Sequence, residues 1–222
     1  MQLTGTLGLA IGLTAVLFDC ATARARPPES DRIMSLEGTI ELMLLRQPAV
    51  QQELKLDPEE ARKVDLFVAK QLNLAGEYQK LPADEQKSRY LELGKANRNY
   101  LSTALTPARQ QRLKQIAMQV ASLVWALDPS VSSALVLTQE QKTRIKELHA
   151  SAQKRVESVL HGSSPTNEDK ARKLEEVRKM EHDELMSVLT TEQKDKWKEL
   201  VGAPFEGKLV FENFAQQPAR KK

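Results

Sequence analysis

From residue 33 onward, apolar residues recur in steps of three and four almost without interruption. Ile145, Leu148, Ala152, Val156 and Val159 form one such series, and Val64, Phe67, Leu72, Ala75 and Tyr78 do much the same with one step of five. Tyr90, Leu93, Tyr100 and Ala104 make a third, with two helical turns between Leu93 and Tyr100, and Leu113, Ile116, Val120, Leu123 and Leu127 a fourth. These steps put the apolar side chains on one face of an α-helix, and no run alternates long enough for a strand. The pattern predicts an all-α fold. Its fourth series predicts a helix running from near Pro107 to Leu127.

Laid on itself, the chain matches its own second half. Pro48 falls on Pro129, 81 positions on, and at that offset Val50 meets Val131, Leu54 meets Leu135 and Leu56 meets Leu137. Farther along the offset is 84: Leu101 meets Leu185, Leu105 meets Leu189, Thr106 meets Thr190 and Leu113 meets Trp197. The extra residues fall where "LPADEQ" in one half faces "HGSSPTNED" in the other. Gly, Ser and Pro there mark a turn, and the tip of a helical hairpin tolerates insertion. The expected organisation is two tandem helical-hairpin repeats, at 48–117 and 118–202. A signal peptide at 1–25 and a linker with a lead-in helix at 26–47 precede them. An irregular tail at 203–222 follows, in which Phe205, Val210, Phe211 and Phe214 pack back on the helices and the last seven residues form a mobile end. Ile40, Met43 and Leu44 fall on Ala121, Val124 and Trp125, so the helix near Pro107 to Leu127 should end one unit and begin the next.

Two stretches, "LTQEQ" from Leu137 and "LTTEQ" from Leu189, share a short pattern with a physical meaning. Thr138 with Gln141, and Thr190 with Gln193, have capping-box spacing. The threonine hydroxyl accepts from an unpaired N–H of the first turn, and the glutamine reaches back to the threonine N–H. Asp57 with Glu60 is a charged version, with Pro58 at the favoured first helical position. Thr106 is followed by Pro107, but Arg109 stands where the glutamine should be and loses the reciprocal bond. Leu56, Leu105, Leu137 and Leu189 precede these caps as hydrophobic staples that fix the angle at which the chain enters each helix.

Composition narrows the function by exclusion. Lys+Arg 33 against Asp+Glu 30 leaves a net charge of +3, and the two signs interleave as on solvated helix faces. That charge and 5% aromatics give no footprint for nucleic acid. His182 lies beside Glu181, Asp183 and Glu184, and the other histidines are His149 and His161. A transition-metal site needs several converging His or Cys ligands, so this run reads as a polar stretch on a solvated helix. No Gly-rich phosphate loop, nucleophile elbow or Ser/His/Asp signature is visible, so neither enzymatic activity nor a cofactor is expected. Trp125, Met118 and Trp197 are either core packing or apolar groups that face a bound protein. The residues that would bind such a protein are otherwise unknown.

The first residues, "LTGTLGLAIGLTAVLF", are apolar and lead into two small-x-small sites, Ala21-Thr22-Ala23 and Ala23-Arg24-Ala25. They read as an export signal cleaved near Ala25, with an uncleaved anchor as the alternative. The apolar run is short for a membrane span. Cys20 is the single cysteine, and it is either discarded with the signal or a lipid attachment site with a poor Asp19 before it. Cleavage would leave a periplasmic or otherwise exported chain with no disulfide and no stable membrane span.

The paired Leu-Thr-x-x-Gln stretches resemble the Spy/CpxP family of periplasmic proteins, which is named for two such motifs. The half around Val131 to Val201 carries both intact, as Leu137, Thr138, Gln141 and Leu189, Thr190, Gln193. The half around Val50 to Ala117 carries degenerate copies, as Leu56, Asp57, Glu60 and Leu105, Thr106, Arg109. The resemblance implies an all-helical protein that binds unfolded or partner proteins as an ATP-independent chaperone. Alternatively it implies an envelope-stress or metal-responsive adaptor, and a structural envelope role without client activity is the third reading. Family members pair two subunits, so a tandem chain is expected to replace that dimer within one molecule.

Overall fold

A computed structural model of the chain describes residues 38–161 and 166–209. The expected signal at 1–25, Cys20, the linker up to residue 37 and the tail from residue 210 lie outside the described residues. The described residues form ten α-helices and no strand. In order these are α1 (Thr39–Leu45), α2 (Pro48–Glu53), α3 (Pro58–Tyr78), α4 (Ala83–Ala104) and α5 (Pro107–Val120). There follow α6 (Ser122–Ala126), α7 (Pro129–Ala134), α8 (Gln139–His161), α9 (Asn167–Val188) and α10 (Thr191–Val201).

Helix α3 packs along α4, and α8 along α9. The short helix α1 is buried at every residue and touches α3, α4 and α5, while α6 touches α8, α9 and α5. Each long pair thus rests on a short apolar helix, and α10 packs against α5. One cluster spans these contacts, with Leu42, Leu45, Leu113, Ile116, Leu123, Ile145 and Leu185 nearly or wholly withdrawn from solvent. Two smaller clusters fill the long pairs. Tyr90 and Leu93 pack with Leu74, Ala75 and Tyr78 in α3–α4, and Val156, Leu174 and Val177 pack with Val159 in α8–α9. Burial pushes the Tyr90 hydroxyl up to about 12, and it donates to the Ala75 carbonyl at 3.1 Å.

The expected helix from Pro107 to Leu127 is two helices. Ala121, at φ −131° and ψ 58°, breaks it into α5 and α6. Its N–H still closes α5 on the Ala117 carbonyl, and its own carbonyl accepts from Trp125 to begin α6. Apolar spacing could not reveal the break, because Ile116, Val120, Leu123 and Leu127 keep helical steps across it. The bend lets α5 meet α10 while α6 turns beneath α8–α9. Among the described residues no helix is long and apolar enough to cross a membrane.

Candidate functional site

The start of α8 is capped from both sides. Thr138 Oγ1 accepts from the Gln141 N–H at 3.2 Å, and Gln141 Oε1 accepts from the Thr138 N–H at 3.0 Å. The start of α10 repeats this with Thr190 and Gln193, at 3.3 and 3.0 Å. The two glutamines also meet each other. Gln141 Nε2 donates to Gln193 Oε1 at 2.7 Å, and Gln193 Nε2 donates back to Gln141 Oε1 at 3.0 Å. Gln141 further donates to the Val188 carbonyl at 2.9 Å, and Gln193 to the Leu135 and Val136 carbonyls at 3.2 and 3.4 Å. Each amide therefore caps its own helix and braces the other. The pairing closes the open end of α8–α9, because α10 follows directly after α9.

Helix α3 is capped by Asp57, whose Oδ1 accepts from the N–H groups of Glu59 and Glu60 at 2.8 Å. Glu60 Oε2 accepts from the Asp57 N–H at 2.8 Å, and Glu60 Oε1 accepts from Arg109 at 2.8 Å. Arg109 also donates to the Lys55 carbonyl at 2.5 Å. Thr106 accepts only a long bond, 3.4 Å from the Arg109 N–H. Arg109 does lose the reciprocal bond to its own cap, but its guanidinium joins the start of α5 to the start of α3. A Glu–Arg ion pair here makes the cross-connection that two glutamine amides make between α8 and α10. The Asp57 N–H, and then the Arg109 guanidinium, hold the Glu60 carboxyl below its ordinary range.

Both cross-connections end on a carbonyl in a left-handed turn. Lys55 and Val136 each have φ 52°. They close α2 and α7 with a pair of bonds typical of a helix C-terminus: Leu56 N–H to Gln51 O at 2.9 Å, and Leu137 N–H to Ser132 O at 3.1 Å. Glycine is the usual residue there, and a β-branched valine at positive φ is an outlier. Val136 is moreover 79% exposed, so burial of its side chain does not offset that strain.

Cap geometry sets a ranking of effects. Thr138→Ala should destabilise the fold by about 1 kcal/mol, the usual cost of losing a good cap. Thr106→Ala should cost less, because its bond is long and has no reciprocal partner. Urea denaturation of the two variants checks the order, and equal losses would contradict it.

The remaining candidates separate clearly. Trp125, Met118 and Trp197 are 3%, 3% and 2% exposed, so all three are core residues and cannot face a bound protein. His182 and Asp183 are exposed as expected of a solvated stretch, but Glu181 is only 7% exposed. Burial pushes its carboxyl up to about 7, with Arg155 opposing the shift and Glu184 adding to it. The signal for its burial was present: Leu174, Val177, Glu181 and Leu185 step along one helical face. His149 is half-buried, while the side chain of His161 lies outside the described residues. Among the described residues no three His, Cys, Asp or Glu side chains are grouped to hold a metal. Many exposed carboxylates sit in helical ion pairs such as Glu59–Lys63 and Glu176–Arg172, both at 2.8 Å.

Two residues of α5 carry contacts that no motif announced. Gln119 and Arg112 hold the segment after α10. Gln119 Oε1 accepts from the Phe205 N–H at 2.8 Å, and Arg112 donates to the Ala203 carbonyl at 2.7 Å. Their side chains reach across more than eighty residues of sequence, so only the folded arrangement shows their use. Phe205 packs against the main core as the sequence suggested. Compared with known proteins, the chain matches no family model, no curated protein and no solved structure.

Proposed function

We propose that the chain is an exported protein-binding module of the Spy/CpxP kind that holds partly unfolded proteins without nucleotide. The observation that carries this reading is the mutual bonding of Gln141 and Gln193. It gives the two short motifs a shared structural purpose, which chance occurrence of two capping boxes would not supply. The Glu60–Arg109 pair supports reading the other half as a diverged copy of the same unit.

The tandem organisation belongs to the proposal. Helices α3 and α8 begin at Pro58 and Gln139, and α4 and α9 at Ala83 and Asn167, which are the offsets of 81 and 84 found in the sequence. The matching turns at Lys55 and Val136 add to this. Two such units in one chain stand in for a dimer of single units. With the tryptophans in the core, binding falls to surface groups. Leu66 on α3 and Met180 on α9 are 61% and 46% exposed on helices that carry charges of both signs, and Val136, in the turn before α8, is 79% exposed. Such a surface can cover an exposed hydrophobic segment while its charges keep the complex in solution.

The purified protein should slow aggregation of a chemically unfolded client near stoichiometric amounts, with no nucleotide added. Activity should persist at dilutions that separate a non-covalent dimer, since both units share one chain. A monodisperse preparation that leaves several unrelated clients aggregating at control rates would reject the chaperone reading.

A further inference from the structure

Residues 203–209 follow α10 without forming a helix, yet their burial alternates. Phe205, Gly207 and Leu209 are turned inward, while Glu206 and Lys208 face solvent. A period of two is that of an extended chain. The segment leaves α10 through Gly202 at φ 64°, where a Cβ would lie 2.5 Å from the Gln115 amide nitrogen. From there it is held by side chains that read only its backbone.

Gln119 Nε2 donates to the carbonyls of Val201 and Ala203 at 2.8 and 2.9 Å, and its Oε1 accepts from the Phe205 N–H at 2.8 Å. One side-chain amide thus takes the carbonyl of one residue and the N–H two residues later. A neighbouring β-strand offers an extended peptide the same pairing. Arg112 is oriented by Glu53 at 2.8 Å and spends its other N–H groups on the Ala203 and Pro204 carbonyls, at 2.7 and 3.4 Å. Selectivity lies in the inward positions. Phe205 and Leu209 join the main core. Gly207 passes so close that a Cβ would lie 2.8 Å from the Ala49 methyl and 2.3 Å from the Phe205 ring.

We propose that the face formed by α5 and α2, with Gln119, Arg112, Glu53 and Ala49, is a binding groove for extended peptides. The chain's own residues 203–209 keep it closed. A partner protein opens it by offering a segment with the pattern aromatic-x-Gly-x-aliphatic. The groove's polar bonds go to main-chain atoms, so another peptide of that pattern can replace the tethered one bond for bond. The tether gives the internal segment an effective concentration on the order of millimolar, which a competitor must overcome. This surface is separate from the exposed groups invoked for client binding, and the inference does not depend on them.

The probe is a fluorescent peptide, Ala-Pro-Phe-Glu-Gly-Lys-Leu, titrated into the full-length chain and followed by anisotropy. Binding to a Phe205→Ala/Leu209→Ala variant should be saturable and at least tenfold tighter than to the unaltered chain. Adding Gln119→Ala, or replacing the peptide's Phe with Ala, should weaken it at least tenfold. Equal binding to both chains, or indifference to Gln119→Ala, would overturn the proposal. Leu209 lies in the core, so a second measurement uses the unaltered protein. Millimolar peptide should accelerate hydrogen exchange of the Phe205 amide, and unchanged exchange would overturn the proposal. A concentration-dependent dimer formed by exchange of these segments between two copies would also overturn it, in favour of self-association.

Discussion

Trp197→Ala is expected to cost the fold about 4 kcal/mol, within the usual range for removing a large buried aromatic side chain. Trp197 is 2% exposed on α10, the helix that packs against α5 and belongs to the main core. Its loss would leave a void between these helices that the surrounding Leu and Ile side chains cannot close without moving backbone. The damage should spread along α10, which also positions Gln193 and leads into the segment held by Gln119 and Arg112. Urea denaturation of the variant should therefore show a much lower midpoint than Thr138→Ala, whose expected loss is near 1 kcal/mol. A tryptophan standing on a binding surface would behave oppositely, leaving stability intact. A loss below about 1 kcal/mol would contradict its place in the core.

Local features of this fold were readable because each depends on neighbours in sequence. The caps at Asp57, Thr138 and Thr190 rest on spacings of three residues, and the all-α class rests on steps of three and four. What sequence could not show was which helix ends meet. Gln141 and Gln193 are capping residues by spacing, but their mutual bond exists only because α9 returns the chain to the start of α8. Arg109 illustrates the same limit. Judged by its own cap it is a loss, and only the arrival of Glu60 from another helix shows what its guanidinium does. Ala121 hid for a different reason, since a single bent residue leaves the apolar rhythm on either side undisturbed. The tryptophans were ambiguous because large apolar groups serve cores and binding faces alike, and burial alone separates the two.

Glu181 should make the protein less stable as pH rises through the range from about 4.5 to 7. Its carboxyl has an ordinary value of 4.5 in the unfolded chain, and burial raises it to about 7 in the fold. Between those values the folded carboxyl keeps its proton while the unfolded one has lost it. The native state then binds more protons, so raising pH favours unfolding. The stabilisation is complete below the unfolded value and gone above the folded one. Its size is on the order of 3 kcal/mol, at about 1.4 kcal/mol for each pH unit of separation. Arg155, from α8, and Arg178 hold this figure down by favouring the ionised form, while Glu184 works against ionisation. The carboxyls of Glu60, Glu140 and Glu192 are shifted downward, so their effect falls at more acid pH and has the opposite sign. Glu181→Gln keeps the shape and removes the titration. Urea denaturation at pH 5, 6, 7 and 8 should show the unaltered chain losing stability with rising pH. The variant should stay nearly level and be the more stable of the two at pH 8. Parallel pH profiles would mean that Glu181 ionises freely in the fold, which its position between Val177 and Leu185 on the buried face of α9 opposes.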